Sequence, residues 1–328
     1  MQGHKPALVF LLCLLTATQR GAAQELPLQQ AGRAYDQGDY NGAVAILKDA
    51  AGKDPSNGEI QLLLTKCYLE IKQYDNAVNS GEKGVAIDPK SSVYHQWLGE
   101  AYGEKADHVS MLSAYPLARK TRKEFETAVE LDPRNFDAAQ DLIQFDCTAP
   151  GIVGGGEDKA QPLIQKLMGL DEAEGHFAAG VCRAIKKDFP AADAEYTKSL
   201  QLKPKTADRL YDIGDYFIQR GNAEMLLGVA EAGEALAPQD PRGKFYRAAG
   251  WILKGEKYPE AEKLLHDYLQ TAPLRSTYPG PWDAHYWLGR ARAAQKDESG
   301  AKTEYQTALK LNPKYKKAQD ALKQLSAK

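Results

Sequence analysis

Four cysteines, six histidines and one glycine-rich run are the residues of this chain whose types could do chemistry. The run Ala149-Pro150-Gly151-Ile152-Val153-Gly154-Gly155-Gly156 has the glycine content of a loop that cradles phosphate. It lacks the Lys-Ser/Thr step that such loops use, and no strand pattern precedes it. Glu157 and Asp158 follow, in what reads as the first turn of a helix, where they complement the dipole and repel an anion. The run therefore reads as a flexible or tightly turning connector. The histidines form no His-Glu-x-x-His, and the cysteines show no paired zinc spacing. No Gly-x-Ser-x-Gly elbow is present. The chain calls for no metal and no cofactor, and it reads as a non-enzyme.

The elements that would position these residues repeat themselves. His285-Tyr-Trp-Leu-Gly-Arg-Ala-Arg is followed by Ala301, Tyr305, Ala308 and Pro313. His176-Phe-Ala-Ala-Gly-Val-Cys-Arg is followed at matching offsets by Ala192, Tyr196, Ser199 and Pro204. Prolines at 55, 89, 133, 204, 238, 273 and 313 close successive units, since proline cannot continue a helix. The steps from Pro55 to Pro89 and from Pro204 to Pro238 are both 34 residues. A period of that length predicts helix–turn–helix units that stack into a solenoid, because one hairpin cannot bury its apolar face alone. The fold class is all-α: a right-handed α-solenoid of about eight units over residues 24–315, with a capping helix over 316–328. Ala318, Leu322 and Leu325 form the apolar side of that cap. Small residues at Gly99, Gly180, Gly214 and Gly289 let the two helices of a hairpin approach.

Two inserts break the period. The third unit carries extra residues near 103–120, including His108, Met111, Leu112 and Tyr115-Pro116, and the fourth carries the run at 149–156. His95, His176 and His285 share position 4 of their units, whole units apart, so they read as packed helix residues that cannot share a metal. His266 reads as surface. Cys67 and Cys182 share position 10 and read as small core residues. Cys147 and Cys182 fall in neighbouring units, and the spacing leaves their pairing open.

Composition narrows the setting. With 43% hydrophobic and 26% charged residues the chain can build a core in water. A net charge of −2 and no basic stripe argue against a nucleic-acid partner. Arg119-Lys120-Thr121-Arg122-Lys123 is followed at once by Glu124 and Glu126, and reads as a solvated helix face. Lys5, the apolar run Ala7–Leu15 and Gly21-Ala22-Ala23 have the order of a secretion leader, cleaved after Ala23. That run is too short to span a bilayer, and no later stretch is apolar and long enough. The expected location is periplasmic or extracellular. Losing Lys5 and Arg20 with the leader takes the charge from −2 to −4.

The Leu-Gly pairs, Tyr at position 11, Ala at 20, aromatic at 24 and Pro at 32 resemble the tetratricopeptide repeat family over almost the whole chain beyond residue 23. The stretch Pro150–Gly156 is also similar to one in a group of exported bacterial tetratricopeptide proteins. The resemblance implies a concave face lined by positions 2, 5, 9 and 12 of each first helix. Position 5 reads Phe177, Tyr211, Tyr246 and Tyr286, position 9 adds Asp215 and Arg290, and position 2 adds Glu174, Asp208 and Asp283. An aromatic ladder with scattered charge is the composition of a peptide groove, or of rings filling the inner curve. Lys66 is the one basic residue at these positions in the second unit, which argues against the two-carboxylate clamp of some family members. The expectation is a non-catalytic scaffold binding a protein or peptide through Phe177, Tyr211, Asp215, Tyr246, Tyr286 and Arg290. The alternatives are an envelope assembly protein acting as a homo-oligomer, and a small-ligand site or enzyme on the two inserts. Oligomeric state is open.

Overall fold

The computed structural model describes residues 17–326, with side chains from 27 onward. Lys5 and Ala7–Leu15, which carry the leader expectation, lie outside the described residues. Among the described residues there are seventeen α-helices, one 3-10 turn and no strand. In order they are α1 (Ala17–Asp36), α2 (Tyr40–Lys53), α3 (Gly58–Glu70), α4 (Tyr74–Ile87), α5 (Ser92–Asp107) and α6 (Met111–Leu131). Next come α7 (Phe136–Thr148), the 3-10 turn (Gly151–Val153), α8 (Glu157–Leu170), α9 (Glu172–Ile185), α10 (Phe189–Gln201) and α11 (Ala207–Arg220). The last are α12 (Ala223–Leu236), α13 (Arg242–Lys254), α14 (Tyr258–Thr271), α15 (Pro281–Ala294), α16 (Glu298–Leu311) and α17 (Lys316–Ser326). The fold is all-α, built of the helix–turn–helix hairpins that the repeat predicts. Among the described residues no helix is long and apolar enough to cross a membrane.

Local chemistry sets the helix starts. Asp39, Asn57, Ser91, Asn135, Asp171, Asp188, Thr206, Asn222 and Asp297 each cap a helix, their side chains accepting from first-turn backbone N–H groups. Each such cap stabilises by about 1 kcal/mol. The turn inside a hairpin needs a left-handed residue, and it is Gly38, Gly221 or Gly255 in three units but lysine at 72, 187 and 296, with a second left-handed residue, Lys257, at the start of α14. The aromatic of the second helix then lies on the first. A Cβ on Gly289 would stand 2.5 Å from the Tyr305 ring, and one on Gly180 would stand 3.1 Å from the Tyr196 ring.

The chain divides into two compact units, residues 1–121 and 122–328, with the division inside α6. The first has a core of Ala31, Leu47, Leu64, Cys67, Tyr68, Ala77, Leu98 and Tyr102. Its insert forms no loop: it lengthens α5 to 16 residues and α6 to 21. The second unit holds a large core around Tyr211, Phe217, Phe245, Tyr246 and Trp287. At its end, Ala318 is fully buried and Leu322 and Leu325 pack against Tyr305, so α17 covers the last hairpin.

The glycine run has a steric explanation. Gly154 (φ 104) lies against the Arg122 side chain, where a Cβ would be 3.0 Å from Cδ. A Cβ on Gly155 would be 2.1 Å from the Ala149 carbonyl oxygen. The Gly156 N–H donates to the Asp146 carbonyl at 2.8 Å, which brings the chain back onto α7. Three glycines are what this closure tolerates. One α7 residue on, Cys147 is joined to Cys182 of α9 by a disulfide with a Cα–Cα distance of 5.6 Å. That settles the pairing left open by the spacing. Cys67 is free and buried, and burial pushes its thiol up to about 12, so it is inert.

Candidate functional site

In the second unit the first helices of consecutive hairpins, α7 with α9, α11 with α13 and α13 with α15, pack side by side. No two second helices approach as closely. The first helices thus line the tighter, inner side of the stack, and the polar residues they share are the candidate site.

Two arginines organise it. Arg209 of α11 is buried and is held by three carboxylates. Its Nε donates to Glu174 at 2.8 Å, its Nη1 to Asp212 at 3.0 Å and its Nη2 to Asp137 at 3.0 Å. Its guanidinium lies 4.1 Å over the centroid of the Phe177 ring. Arg242 of α13, also buried, pairs with Asp240 and Asp208, each at 2.6 Å. It sits 4.6 Å over Tyr211 and 4.4 Å over Tyr278. A buried guanidinium holds its charge only when its donors are matched, and the planar fork does that here. Acids outnumber these bases. Beyond them, Asp215 accepts from the Tyr246 hydroxyl at 2.6 Å, and Asp283 accepts from the Tyr315 hydroxyl at 2.6 Å.

The electrostatics follow from this surplus. Half of the Asp212 side chain meets solvent, yet the helices crowd it from below. That burial pushes its carboxyl up to about 6; Arg209 pulls it down, while Asp215, Asp208 and Asp137 add to the rise. Burial likewise raises Asp215 against its Tyr246 hydrogen bond, with Asp283 adding to the rise and Lys317 opposing it.

The aromatic ladder divides into buried and half-buried members. Tyr211 and Tyr246 are only 2% and 1% exposed, stacked on each other at 5.2 Å, and Phe177 is buried under Arg209. These rings fill the inner curve, with Arg209 over Phe177, Arg242 over Tyr211, and Tyr246 stacked on Tyr211. Tyr286 is half-buried, edge-on to Trp287 and Tyr315 and tilted against Tyr305. Arg290 is half-buried with its guanidinium 4.6 Å over Trp287. Asp215 is exposed. In the first unit, Lys66 lies 4.4 Å over Trp97 and burial lowers its pKa.

The histidines have partners that spacing alone did not suggest. His176 Nδ1 meets Glu195 at 2.6 Å and His285 Nδ1 meets Glu304 at 2.7 Å, both at a separation of 19 residues. His95 is buried against the Pro89 carbonyl at 3.1 Å. The insert residue His108 stacks on Tyr74 at 4.4 Å beside a cavity of about 330 Å³, where Lys105 is tied to Asp75 at 2.6 Å. A second cavity, of about 290 Å³, lies beside Arg122, which grips Asp146 through Nε at 2.9 Å and Nη2 at 3.3 Å. Neither holds an activated nucleophile. Among the described residues no group of His, Cys, Asp and Glu is arranged to hold a metal ion.

Models of the tetratricopeptide repeat match residues 34–100 and 282–315, and the chain carries tetratricopeptide repeats there. It is 23% identical over 148 residues to human tetratricopeptide repeat protein 28, covering 44% of this chain and 5% of that protein. It is 24% identical over 179 residues to mouse interferon-induced protein with tetratricopeptide repeats 2, covering 51% of this chain and 38% of that one. The chain thus spans well under half the length of either curated relative. Among solved structures it is similar to the human IFIT1 dimer with m7Gppp-AAAA, with a TM-score of 0.51, 18% identity, and coverage of 75% and 54% of the two chains. That likeness is one of fold.

Proposed function

We propose that this chain is an exported, non-catalytic scaffold whose second unit holds a protein or peptide partner along its inner face, through carboxylates that receive basic side chains. Proteins built from these repeats generally act as protein-binding scaffolds. The observation that carries the finer reading is the row Asp137, Asp208, Asp212 and Asp215, exposed on one face while Arg209 and Arg242 lie buried and paired beneath it. Carboxylates crowded enough to add to the rise at Asp212 gain from an incoming cation. The same surplus gives no support here to a polyanion such as the capped oligonucleotide of the IFIT1 structure. Export is supported by the disulfide, which persists in oxidising compartments.

The test uses a labelled lysine-rich peptide and a glutamate-rich one of equal length. The lysine peptide should bind, weaken with added salt, and lose about tenfold or more on double substitution Asp212→Asn and Asp215→Asn. Equal binding of both peptides, or a double variant that binds as well as the parent, would sink the reading. Assembly with copies of itself is a second reading, favoured by Met111 and Leu112, which stand largely exposed on the lengthened α6. A mass that falls on dilution would support it.

A further inference from the structure

We infer that the Cys147–Cys182 disulfide is a redox-sensitive latch on the inner face of the second unit. The inference rests on that face being the partner surface, and it names how the face is regulated. The disulfide joins α7 to α9 in their C-terminal halves. The same two helices are joined a second time near their N-terminal ends, where Asp137 of α7 and Glu174 of α9 share the Arg209 guanidinium of α11. Asp137 and Cys147 lie about 15 Å apart along one rigid helix. A covalent tie at one end therefore sets where the carboxylate at the other end stands.

Asp137 is the outermost of the three acids on Arg209. Its side chain is 77% exposed, whereas Glu174 is buried. An ion pair whose acid is exposed adds little, because solvent screens it, so Asp137 alone holds α7 weakly. Past Cys147 the chain enters Ala149–Gly156, where Gly154 and Gly156 carry φ 104 and φ 150 and Val153 is the one buried side chain. With the disulfide gone, that end depends on the Arg122–Asp146 pair, the Gly156–Asp146 backbone hydrogen bond and packing against α8 and α9.

The chemistry is a two-electron exchange with a dithiol reductant. Cys147 is half-buried and Cys182 fully buried, so the reductant's thiolate attacks the Cys147 Sγ. The Sγ–Sγ bond breaks and Cys182 leaves as a thiolate, which takes a proton. The reductant's second thiol then displaces Cys147 and closes its own disulfide, so two electrons and two protons end on the protein's sulfurs.

The experiment compares oxidised protein with protein reduced in place by dithiothreitol, with Cys147 and Cys182 confirmed as free thiols. Amide hydrogen exchange should rise across α7 and stay unchanged across α13–α16. Binding of the lysine-rich peptide should weaken by about threefold, as for loss of one exposed carboxylate contact. Asp137→Asn in the oxidised protein should weaken the peptide by the same factor without raising α7 exchange. Unchanged α7 exchange after verified reduction overturns the latch. So does raised exchange with peptide affinity unaltered in both the reduced protein and the Asp137 variant. A peptide that never binds the oxidised protein counts against the partner reading instead, and the exchange comparison then decides the latch alone.

Discussion

The hydroxyl of Tyr246 donates to Asp215 across 2.6 Å, joining a ring that is 1% exposed to a carboxylate that faces solvent. The ring acts as a strut for the acid. Burial and Asp215 keep the hydroxyl protonated, because both raise its pKa, so it stays a donor. Tyr246→Phe keeps the packing and removes the hydrogen bond, at a cost of about 1.5–3 kcal/mol for a bond to a charged group. Tyr246→Ala opens a cavity and costs about 3–5 kcal/mol. Chemical denaturation should rank the two in that order. The Asp215 pKa should also rise further in Tyr246→Phe, measured by carboxyl NMR titration, since the lost bond is what lowers it.

Asp212 gives the inner face a pH dependence. Its carboxyl is pushed up to about 6 in the fold, against about 4 unfolded. A raised folded pKa means the folded state binds the proton more tightly. This contribution to stability is complete below about pH 4 and is lost as pH rises through about 6. Asp212→Asn removes it. The melting temperature of the parent should therefore fall relative to the variant across that window. Capture of a lysine-rich peptide should move the other way, strengthening as Asp212 ionises. Parallel melting curves for the two proteins between pH 4 and 7 would contradict the first expectation, and flat peptide affinity the second.

How much of this could be read from the residues depends on how local the cause is. The caps Asp39, Asn57 and Asp297 act within three residues, and the glycines under Tyr196 and Tyr305 recur at a fixed offset, so the repeat announces both. The fate of Tyr211 was not legible, because its cover is Arg242 above and Tyr246 beside it, both from the next unit. Arg209 and Arg242 sit in no motif. A signal was present all the same. Arg209 and Glu174 are 35 residues apart, Tyr315 and Asp283 are 32, and Cys147 and Cys182 are 35. Complementary side chains one repeat length apart on first helices mark contacts between neighbouring units.

Closeness within a hairpin can be tested at the glycines. The Tyr305 ring leaves 2.5 Å for a Cβ on Gly289, and the Tyr196 ring leaves 3.1 Å on Gly180. Overpacking of this kind costs about 1–3 kcal/mol. Gly289→Ala should therefore destabilise more than Gly180→Ala, even though alanine is the better helix former. Thermal melts of the two single variants rank them. An alanine at 289 that stabilises would mean the ring moves aside freely.

Lys296 holds a left-handed turn at φ 67, the value that Gly221 adopts at the matching turn two units earlier. The Cβ of a non-glycine residue costs about 1–2 kcal/mol in this region. Glycine avoids that cost and loses about 0.5–1 kcal/mol to the greater freedom of its unfolded chain. Lys296→Gly should therefore gain about 0.5–1 kcal/mol net, a rise of a few degrees in melting temperature. Nothing lies within 4 Å of a Cβ built on Gly221, so Gly221→Lys isolates the backbone term and should lose a similar amount. Opposite signs from the two substitutions would show that backbone conformation sets the energy of this turn. Two losses would show instead that the Lys296 side chain makes a contact worth more than its strain.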